Sequence, residues 1–553
     1  MGAAQQGQPF PNIGFNKDVA WSHTVSTAKR FTLYQLSLVP GDPMKYNYIN
    51  SSGSPEQRDI EKVEVTIQLP GGNTSTQLIY LSQYGPMVAI DKISGVPAGA
   101  LPAWGTGNLA FTIRDAASEN PRAINQWRSM NKATSVEDLV DRMQDIVGLG
   151  FVNTIATDRY GKALYADIST VPNVTTEKLN SCSSGAGPVL GALISFGIPA
   201  LNGSTADCEW GNDDDSPQAG IFGRSNLPFL IRDDYVANSN DSYWLSNLEE
   251  PLTGFSPLLL RNLTPFPGAT TAEAVPLSMR TRMAFTQVLD RLSNKDGLGG
   301  NTFNLDKMQK IVYGNRSYVA ELVLDDVLTD CTANPVMPVT AGGTIDATQA
   351  CNILSNWDRR NNLDSKGAHV FREFWRNVDF TETTDNAFSV KFDINDPVNT
   401  PRGLIINDST RKALGDSIAY FNSKKIALDA PLSSLQYVID AGMNNDKIPM
   451  HGGLGREGIF NVAQGPDLNE DGTYRPINGG PTYMQSVTFD NKGPVVEALL
   501  AYSQSADTTR PYHRDQTRRY SDKEWIRLPF SAGEISKQAV GNKIQLREKF
   551  RPD

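Results

Sequence analysis

A chain of 553 residues is longer than one hydrophobic core supports, so two or more packed regions are expected. Hydrophobic residues make up 39% of the chain and charged residues 20%, which excludes disordered, fibrous and membrane-embedded classes, and no apolar run reaches transmembrane length. The formal net charge of −10 comes without a block of Lys or Arg, so neither a nucleic acid nor a membrane is a predicted partner. Small neutral or amphipathic ligands fit this composition better.

In the first third of the chain, the hydrophobic pattern predicts strands and one amphipathic helix. Residues 63–69 alternate apolar and polar side chains, as in a strand with one wet face. Thr134 and Glu137 form the pattern of a capping box, which predicts a helix that ends at Gly148. The apolar runs 151–157 and 162–168 flank a four-residue turn and predict a hairpin.

The middle of the chain has a helical pattern, and strand-like runs return near the end. Helices are predicted at 283–292, 305–312, 317–328 and 347–357. Strands are predicted at 484–489 and 495–503, and we expect both ends of the chain to share one sheet around the helical excursion. This pattern indicates an α+β protein.

The four cysteines form two local pairs, Cys182 with Cys208 and Cys331 with Cys351. Their spacing suits neither zinc nor a C-x-x-C redox motif, so two disulfides are predicted, with four buried thiols as the alternative. Disulfides indicate an oxidising compartment, yet the first residues carry no export signal. An earlier start of the natural polypeptide would reconcile the two observations, with the complete protein periplasmic or secreted.

Standard signatures of metal and nucleotide chemistry are weak. None of the four histidines has metal-ligand spacing, so no metal and no cofactor is predicted. Gly453, Gly455 and Gly458 match G-x-G-x-x-G, but Gly465 and Pro466 soon follow where a nucleotide-binding fold has a helix. The acidic segment 467–478 imitates half of a calcium loop and lacks the closing Glu, so it is interpreted as a surface turn.

A set of segments spread over nearly the whole chain resembles the penicillin acylase family, and within it the acylases of acyl-homoserine lactones and aculeacin. The most specific of these are the Asn-Ser-Asn-Asp, Ser-Gln-Ser and Asp-Gln-Thr blocks in combination. The segments are 19–25, 31–34, 84–86, Trp127, 152–153, 238–241, Arg280 with Arg282, 357–358, 363–365, 479–483, 503–505 and 512–517.

The resemblance implies the αββα sandwich of N-terminal nucleophile (Ntn) hydrolases, with a helical insertion. Residues 1–280 would form the first part of the core, 281–430 a mostly helical subdomain, and 431–553 the strands that return to the core. Such enzymes cut an amide with a terminal Ser whose own α-amine is the base. The oxyanion donors would be the Val25 N–H and the Asn240 side-chain amide, with Arg280 holding Asn240 in place.

Other residues of the resemblance concern the substrate pocket and a histidine. Trp127, Phe151 and Val152 match positions that line the acyl pocket, although aromatic residues at such places are often plain core. His23 does not stand where the family has its active-site His, and we interpret it as a half-buried histidine with satisfied hydrogen bonds.

The sequence departs from the family at its start, because the nucleophilic Ser and the small subunit have no counterpart in it. We therefore expect an incomplete sandwich with a bare sheet edge, a poorly soluble and inactive chain, and partners in the form of the small subunit and the upstream segment. A truncated gene or a separately encoded partner would explain the start. The substrate would be a small N-acyl compound: an acyl-homoserine lactone, an aculeacin-like lipopeptide or a β-lactam.

A non-catalytic secreted binding protein of the same fold is the competing hypothesis. Such a protein would neither release free acid from an N-acyl compound nor be labelled at a terminal Ser.

Overall fold

A computed structural model describes the chain from residue 1 to residue 541. It leaves out, within that range, residues 95–97, 185–186, 267–270, 272, 381–384, 444 and 466. The predicted region 431–553 is therefore described only up to residue 541, and Pro466, which follows the G-x-G-x-x-G segment, also lies outside the described residues.

The strands of the described residues are numbered in chain order. They are β1 Gly2–Ala3, β2 Ile13–Phe15, β3 Val19–Val25, β4 Phe31–Val39, β5 Asp42–Ile49, β6 Pro55–Asp59, β7 Glu61–Gln68, β8 Thr74–Ser82, β9 Gly85–Pro86, β10 Leu109–Asp115, β11 Val152–Asp158, β12 Ala163–Ala166, β13 Ala200–Asn202, β14 Phe229–Arg232, β15 Val336–Pro338, β16 Thr344–Asp346, β17 Phe388–Val390, β18 Arg402–Leu404, β19 Tyr437–Asp440, β20 Asp446–Pro449, β21 Tyr483–Asp490, β22 Gly493–Leu500 and β23 Ile526–Arg527.

The α-helices are numbered in the same way. They are α1 Ala123–Met130, α2 Val136–Ile146, α3 Thr176–Ser184, α4 Pro188–Ser195, α5 Met279–Leu292, α6 Leu305–Val312, α7 Tyr318–Ala333, α8 Thr348–Ser355, α9 Ala368–Asn377, α10 Asp408–Ser423, α11 Asp515–Ser521 and α12 Ala532–Gln538.

A six-stranded sheet in the order β1-β2-β3-β11-β12-β14 carries the site described below. Its neighbouring strands are antiparallel, and β3 pairs with β11 so that Val25 lies opposite Val152. Helices α1 and α2 cover one face of this sheet, where Met130 and Met143 share a buried core with Trp21. The start of α2 is tied to β11, because the Val136 N–H donates to the Asp158 carboxylate at 3.1 Å.

A second sheet, β21-β22-β23, packs on the opposite face of the first. Ala20, whose side chain alternates with that of Trp21, shares a core with Phe15 and Val496 between the two sheets. The outer face of the second sheet carries Leu499 in a core with Tyr313, next to α6, and Tyr520 of α11. The layers therefore run helix, sheet, sheet, helix.

The expectation that both ends of the chain share one sheet is wrong, since the terminal strands form two sheets stacked face to face. The β21–β22 hairpin pairs locally along its whole length, and its apolar inner face is covered by the first sheet. Hydrophobic periodicity shows that a strand has a buried face without showing which sheet it joins.

The described residues also form further sheets and a helical core. Strands β10, β4, β5 and β6, with β13 beside β4, form a five-stranded sheet, and β7, β8 and β9 form a separate three-stranded one. Helices α7 to α10 bury a common core that includes Phe371, Trp375 and Phe421.

Most of the predicted elements are present, with shifted ends. The predicted hairpin is β11–β12, and 305–312 is a helix with the expected bounds. Helix α2 is capped by Ser135 instead of Thr134, since the Ser135 hydroxyl accepts from the Asp138 N–H, while Thr134 donates to the Asp138 carboxylate. Val147 in the left-handed conformation, one residue before the expected Gly148, ends it.

Both predicted disulfides are present, Cys182–Cys208 and Cys331–Cys351. Among the α-helices of the described ranges, none is long and apolar enough to cross a bilayer.

Candidate functional site

The end of β3 projects into an exposed region of the first sheet. Val25 has 58% of its surface exposed. The next residue, Ser26, donates its N–H to the Phe151 carbonyl at 3.0 Å. In an antiparallel ladder, hydrogen-bonded and non-hydrogen-bonded pairs alternate, so Val25 and Val152 form a non-hydrogen-bonded pair. The N–H of Val25 is therefore directed away from β11 and is not used by that strand.

The loop 238–241 is an Asx turn that brings Asn240 to the same place. The Asn238 side-chain oxygen accepts from the Asn240 N–H at 2.9 Å, and its amide donates to the Asp241 carbonyl at 2.9 Å. Asn240 has φ of 69°, a left-handed conformation that Asn tolerates better than most residues. Thr24 of β3 donates to the Asn238 side chain at 2.6 Å, which ties the loop to the strand.

Val25, Asn240 and Arg280 form one hydrogen-bonded chain. The Asn240 amide nitrogen donates to the Val25 carbonyl at 3.0 Å, and the Arg280 guanidinium donates to the Asn240 side-chain oxygen at 3.0 Å. A guanidinium cannot accept a hydrogen bond, so the amide oxygen must face Arg280 and the NH2 group must face the strand end. One N–H of that group is used by Val25, and the other is free to meet a bound group.

Asp241 links the 238–241 loop to Arg261 and to the start of helix α5. This carboxylate is 5% exposed and pairs with Arg261 at 2.6 Å. It also accepts from the N–H of Ser278 at 2.9 Å, and Ser278 caps helix α5, on which Arg280 lies. A single buried carboxylate thus sets the distance between the loop and the helix.

Asp167 fastens the end of β3 in a different way. It is 1% exposed and accepts from the hydroxyls of Ser26, at 2.5 Å, and Ser169, at 2.8 Å. Burial raises the pKa of the Asp167 carboxyl to about 6, against the lowering effect of these two hydrogen bonds. The Ser26 hydroxyl also accepts from the Ala28 N–H at 2.9 Å, so it shapes the turn after Val25.

His23 is half-buried, and its ring nitrogens have hydrogen-bond partners. The Trp127 indole N–H donates to Nε2 at 3.2 Å, and Nδ1 lies 3.3 Å from the Asn153 carbonyl. An indole is only a donor, so Nδ1 carries the proton of the neutral ring. Burial lowers the pKa of His23 to about 4, which keeps it neutral at physiological pH.

Of the three residues expected to line an acyl pocket, Trp127 and Val152 pack against the same buried core. Val152 and Thr154 lie on the same face of β11, and Thr154 pairs with His23 of β3. Trp127 of α1 contacts the His23 ring edge to face. Phe151 is 45% exposed, and the Arg30 guanidinium lies 5.5 Å from its ring centre.

Several residues of this site escape sequence reasoning. Ser26 and Asp167 are 141 residues apart, and no spacing pattern connects them. Arg261 and Asp241 are 20 residues apart in a loop region without periodicity. The one available signal was Asp241 itself, which is part of the Asn-Ser-Asn-Asp block.

Comparison with known proteins agrees with the architecture. The chain matches the penicillin amidase family over residues 1–537. It is 36% identical over 539 residues to the aculeacin-A acylase of Actinoplanes utahensis. It is also 37% identical over 550 residues to the acyl-homoserine lactone acylase PvdQ of Pseudomonas fluorescens (strain Pf0-1). Each alignment covers 97% of this chain and 63% of the relative, so the chain spans less than two thirds of their length.

Among solved structures, a thermostable penicillin G acylase from Alcaligenes faecalis superposes with a TM-score of 0.54 at 13% identity. The superposition covers 99% of this chain and 92% of that one. At this identity the likeness concerns the fold, and it confirms the α+β Ntn-hydrolase architecture. By its match over nearly its whole length, the chain belongs to the penicillin amidase family.

Proposed function

We propose that this chain is the part of an amide hydrolase that stabilises the oxyanion, in an enzyme that cleaves the linear amide of a small N-acyl compound. Family membership supports amidohydrolase chemistry. The observation that carries the proposal is the chain Arg280–Asn240–Val25, which aims an amide NH2 group at a strand end whose own N–H is unused by β11. A tetrahedral oxyanion requires hydrogen-bond donors of this kind near the reacting carbonyl.

The proposed reaction follows nucleophilic catalysis. A Ser hydroxyl, from a residue outside 1–553, attacks the substrate carbonyl, and the α-amine of that Ser takes the hydroxyl proton. The carbonyl oxygen becomes an oxyanion that accepts from the Val25 N–H and from the second N–H of Asn240. The C–N bond then breaks with transfer of the proton to the leaving nitrogen, and water releases the acyl group as a carboxylic acid.

The names of the relatives support a proposed substrate class. We propose an acyl-homoserine lactone or an aculeacin-like compound as substrate, in line with the names of the two acylases, and a β-lactam as the third candidate. Two disulfides suit a periplasmic or secreted enzyme. The proposed partners are the family's small subunit and the segment that carries the nucleophile.

Substitution of Asn240 tests the proposed function. In the protein joined to its upstream region, Asn240→Ala should lower kcat by about two to three orders of magnitude with little change in KM, because one oxyanion donor is lost. Release of free acid from N-acyl-homoserine lactones of several chain lengths is the measurement. A variant with full turnover would refute the role of Asn240.

The chain by itself provides a second test. Residues 1–553 produced alone should release no acid from the same substrates, and co-production with the upstream region should restore turnover. Labelling by an acylating inhibitor should then occur at a Ser of the added segment. Turnover by residues 1–553 alone would contradict the assignment of the nucleophile.

A further inference from the structure

The G-x-G-x-x-G segment, which does not lead into a nucleotide-binding helix, lies against Arg280. We define residues 452–458 as the glycine turn. A short 3-10 helix, Gly455–Glu457, occupies its second half. A Cβ built on Gly455 would lie 3.0 Å from Cδ and 3.8 Å from Cγ of Arg280, and within 4 Å it would meet Arg280 alone. The backbone of the turn therefore packs directly on the stem of the arginine that orients Asn240.

The second half of the turn is held by buried side chains. The Glu457 carboxylate, 1% exposed, accepts from the Leu454 N–H at 2.7 Å and from Arg372 at 3.1 Å. Arg372 is 2% exposed and lies on helix α9. An ion pair with so little exposure is rigid, because separation would leave a charge buried without a partner.

Arg372 also holds the first half of the glycine turn, through Gln436. Arg372 also donates to the Gln436 side-chain oxygen at 2.7 Å, and the Gln436 amide donates to the Gly452 carbonyl at 3.0 Å. Trp375, one helical turn further along α9, exchanges two hydrogen bonds with Arg456, at 2.9 and 3.0 Å. Helix α9 therefore holds Arg456 and Glu457 directly, and it holds Gly452 through Gln436.

We propose that the glycine turn is a rigid seat for Arg280, and that Gly455 is a positioning residue for the oxyanion donor Asn240. This inference rests on the proposed function. The stem of Arg280 lies on Gly455 while its guanidinium meets Asn240, so a displaced stem moves the Asn240 amide. The closest possible approach requires a residue without a side chain at 455, which accounts for one of the three glycines of the motif.

A double-mutant cycle tests the proposal in the protein joined to its upstream region. Gly455→Ala should lower kcat about tenfold at unchanged KM, since a displacement below 1 Å is costly in a preorganised site. In an Asn240→Ala background the same change should have almost no further effect, because the group that Gly455 positions is gone. Gly191→Ala, at a glycine with open space around its Cβ position, is the matched control and should leave kcat unchanged.

The outcomes separate the two proposals. If Asn240→Ala leaves kcat intact, the proposed function fails. If Asn240→Ala lowers kcat while folded Gly455→Ala does not, or if the two losses multiply, the seat is refuted. Should Gly455→Ala fail to fold, it is combined with Arg280→Ala, which removes the atoms that the new Cβ meets. Recovery of the fold supports the seat, and continued unfolding overturns it.

Discussion

Asp167 and Asp241 hold the two segments that meet at the candidate site. Their partners differ, because Asp241 pairs with a cation and Asp167 with neutral hydroxyls. Both carboxylates are almost fully buried, at 1% and 5% exposure. Asp241 fixes the Asn240 loop through the Arg261 guanidinium and the capped start of α5. Asp167 fixes the end of β3 through the hydroxyls of Ser26 and Ser169.

The difference shows where the site is rigid and where it depends on pH. A buried charge with an opposite partner loses much if either group is removed. A buried charge with neutral donors is itself costly, and the raised pKa of Asp167 is the sign of that cost. Below about pH 6, the protonated Asp167 remains a hydrogen-bonding group without the desolvation penalty. The stability of the β3 end that carries Val25 should therefore depend on pH through the titration of Asp167.

The largest effect is expected from removal of the charged anchor. Asp241→Ala should cost about 4 kcal/mol of unfolding free energy, about 3 for the buried pair with Arg261 and about 1 for the hydrogen bond to Ser278. Chemical denaturation at pH 7 measures it, with the exposed Asp446→Ala as control. A cost equal to that of the control would show that the loop is held by other contacts.

Substitution of Asp167 should give a smaller effect, and that effect should depend on pH. The folded-state pKa of Asp167, about 6, lies above the ordinary 3.8, so its extra stabilisation is present below pH 3.8 and is lost as pH rises through 6. Asp167→Asn has no such loss. From pH 4 to pH 7.5 its stability should gain about 2.5 kcal/mol relative to the unsubstituted protein.

Denaturation of both proteins across this pH range checks the prediction. His23, whose pKa is lowered to about 4, titrates in both and cancels in the difference. Asp446→Asn supplies a baseline for the loss of an exposed carboxylate. A difference between the Asp167 proteins that stays constant over the range would mean that Asp167 is not desolvated.

The sequence was sufficient for features carried by local patterns. The β11–β12 hairpin, helix α6 and the two disulfides each depend on residues a few tens of positions apart or fewer. Helix α9 was not predicted, although its sequence is amphipathic, with His369, Arg372, Glu373 and Arg376 at helical spacing on one face. The first three of these polar residues are buried in the fold.

Contacts between distant segments could not be predicted from the sequence. The resemblance proposed roles for Val25, Asn240 and Arg280, but not the carboxylates and the turn that support them. Gly455 and Arg280 are 175 residues apart. The G-x-G-x-x-G pattern indicates that another group approaches the backbone closely. Only the fold shows that at Gly455 this group is the Arg280 side chain.

The smallest change in stability is expected for a substitution of Ser26, and it tests the comparison between Asp167 and Asp241. Ser26→Ala removes one of the two hydroxyls on Asp167 and should cost about 2 kcal/mol at pH 7.5, where the hydrogen bond is to a charged group. It should cost about 1 kcal/mol at pH 4.5, where the partner is neutral. The pKa of Asp167 should rise further, because a hydrogen bond that favours its charged form is lost. The exposed Ser118→Ala is the control. A cost that does not change with pH would place the role of Ser26 in its bond from Ala28 instead, and would remove the pH dependence predicted for the Val25 side of the site.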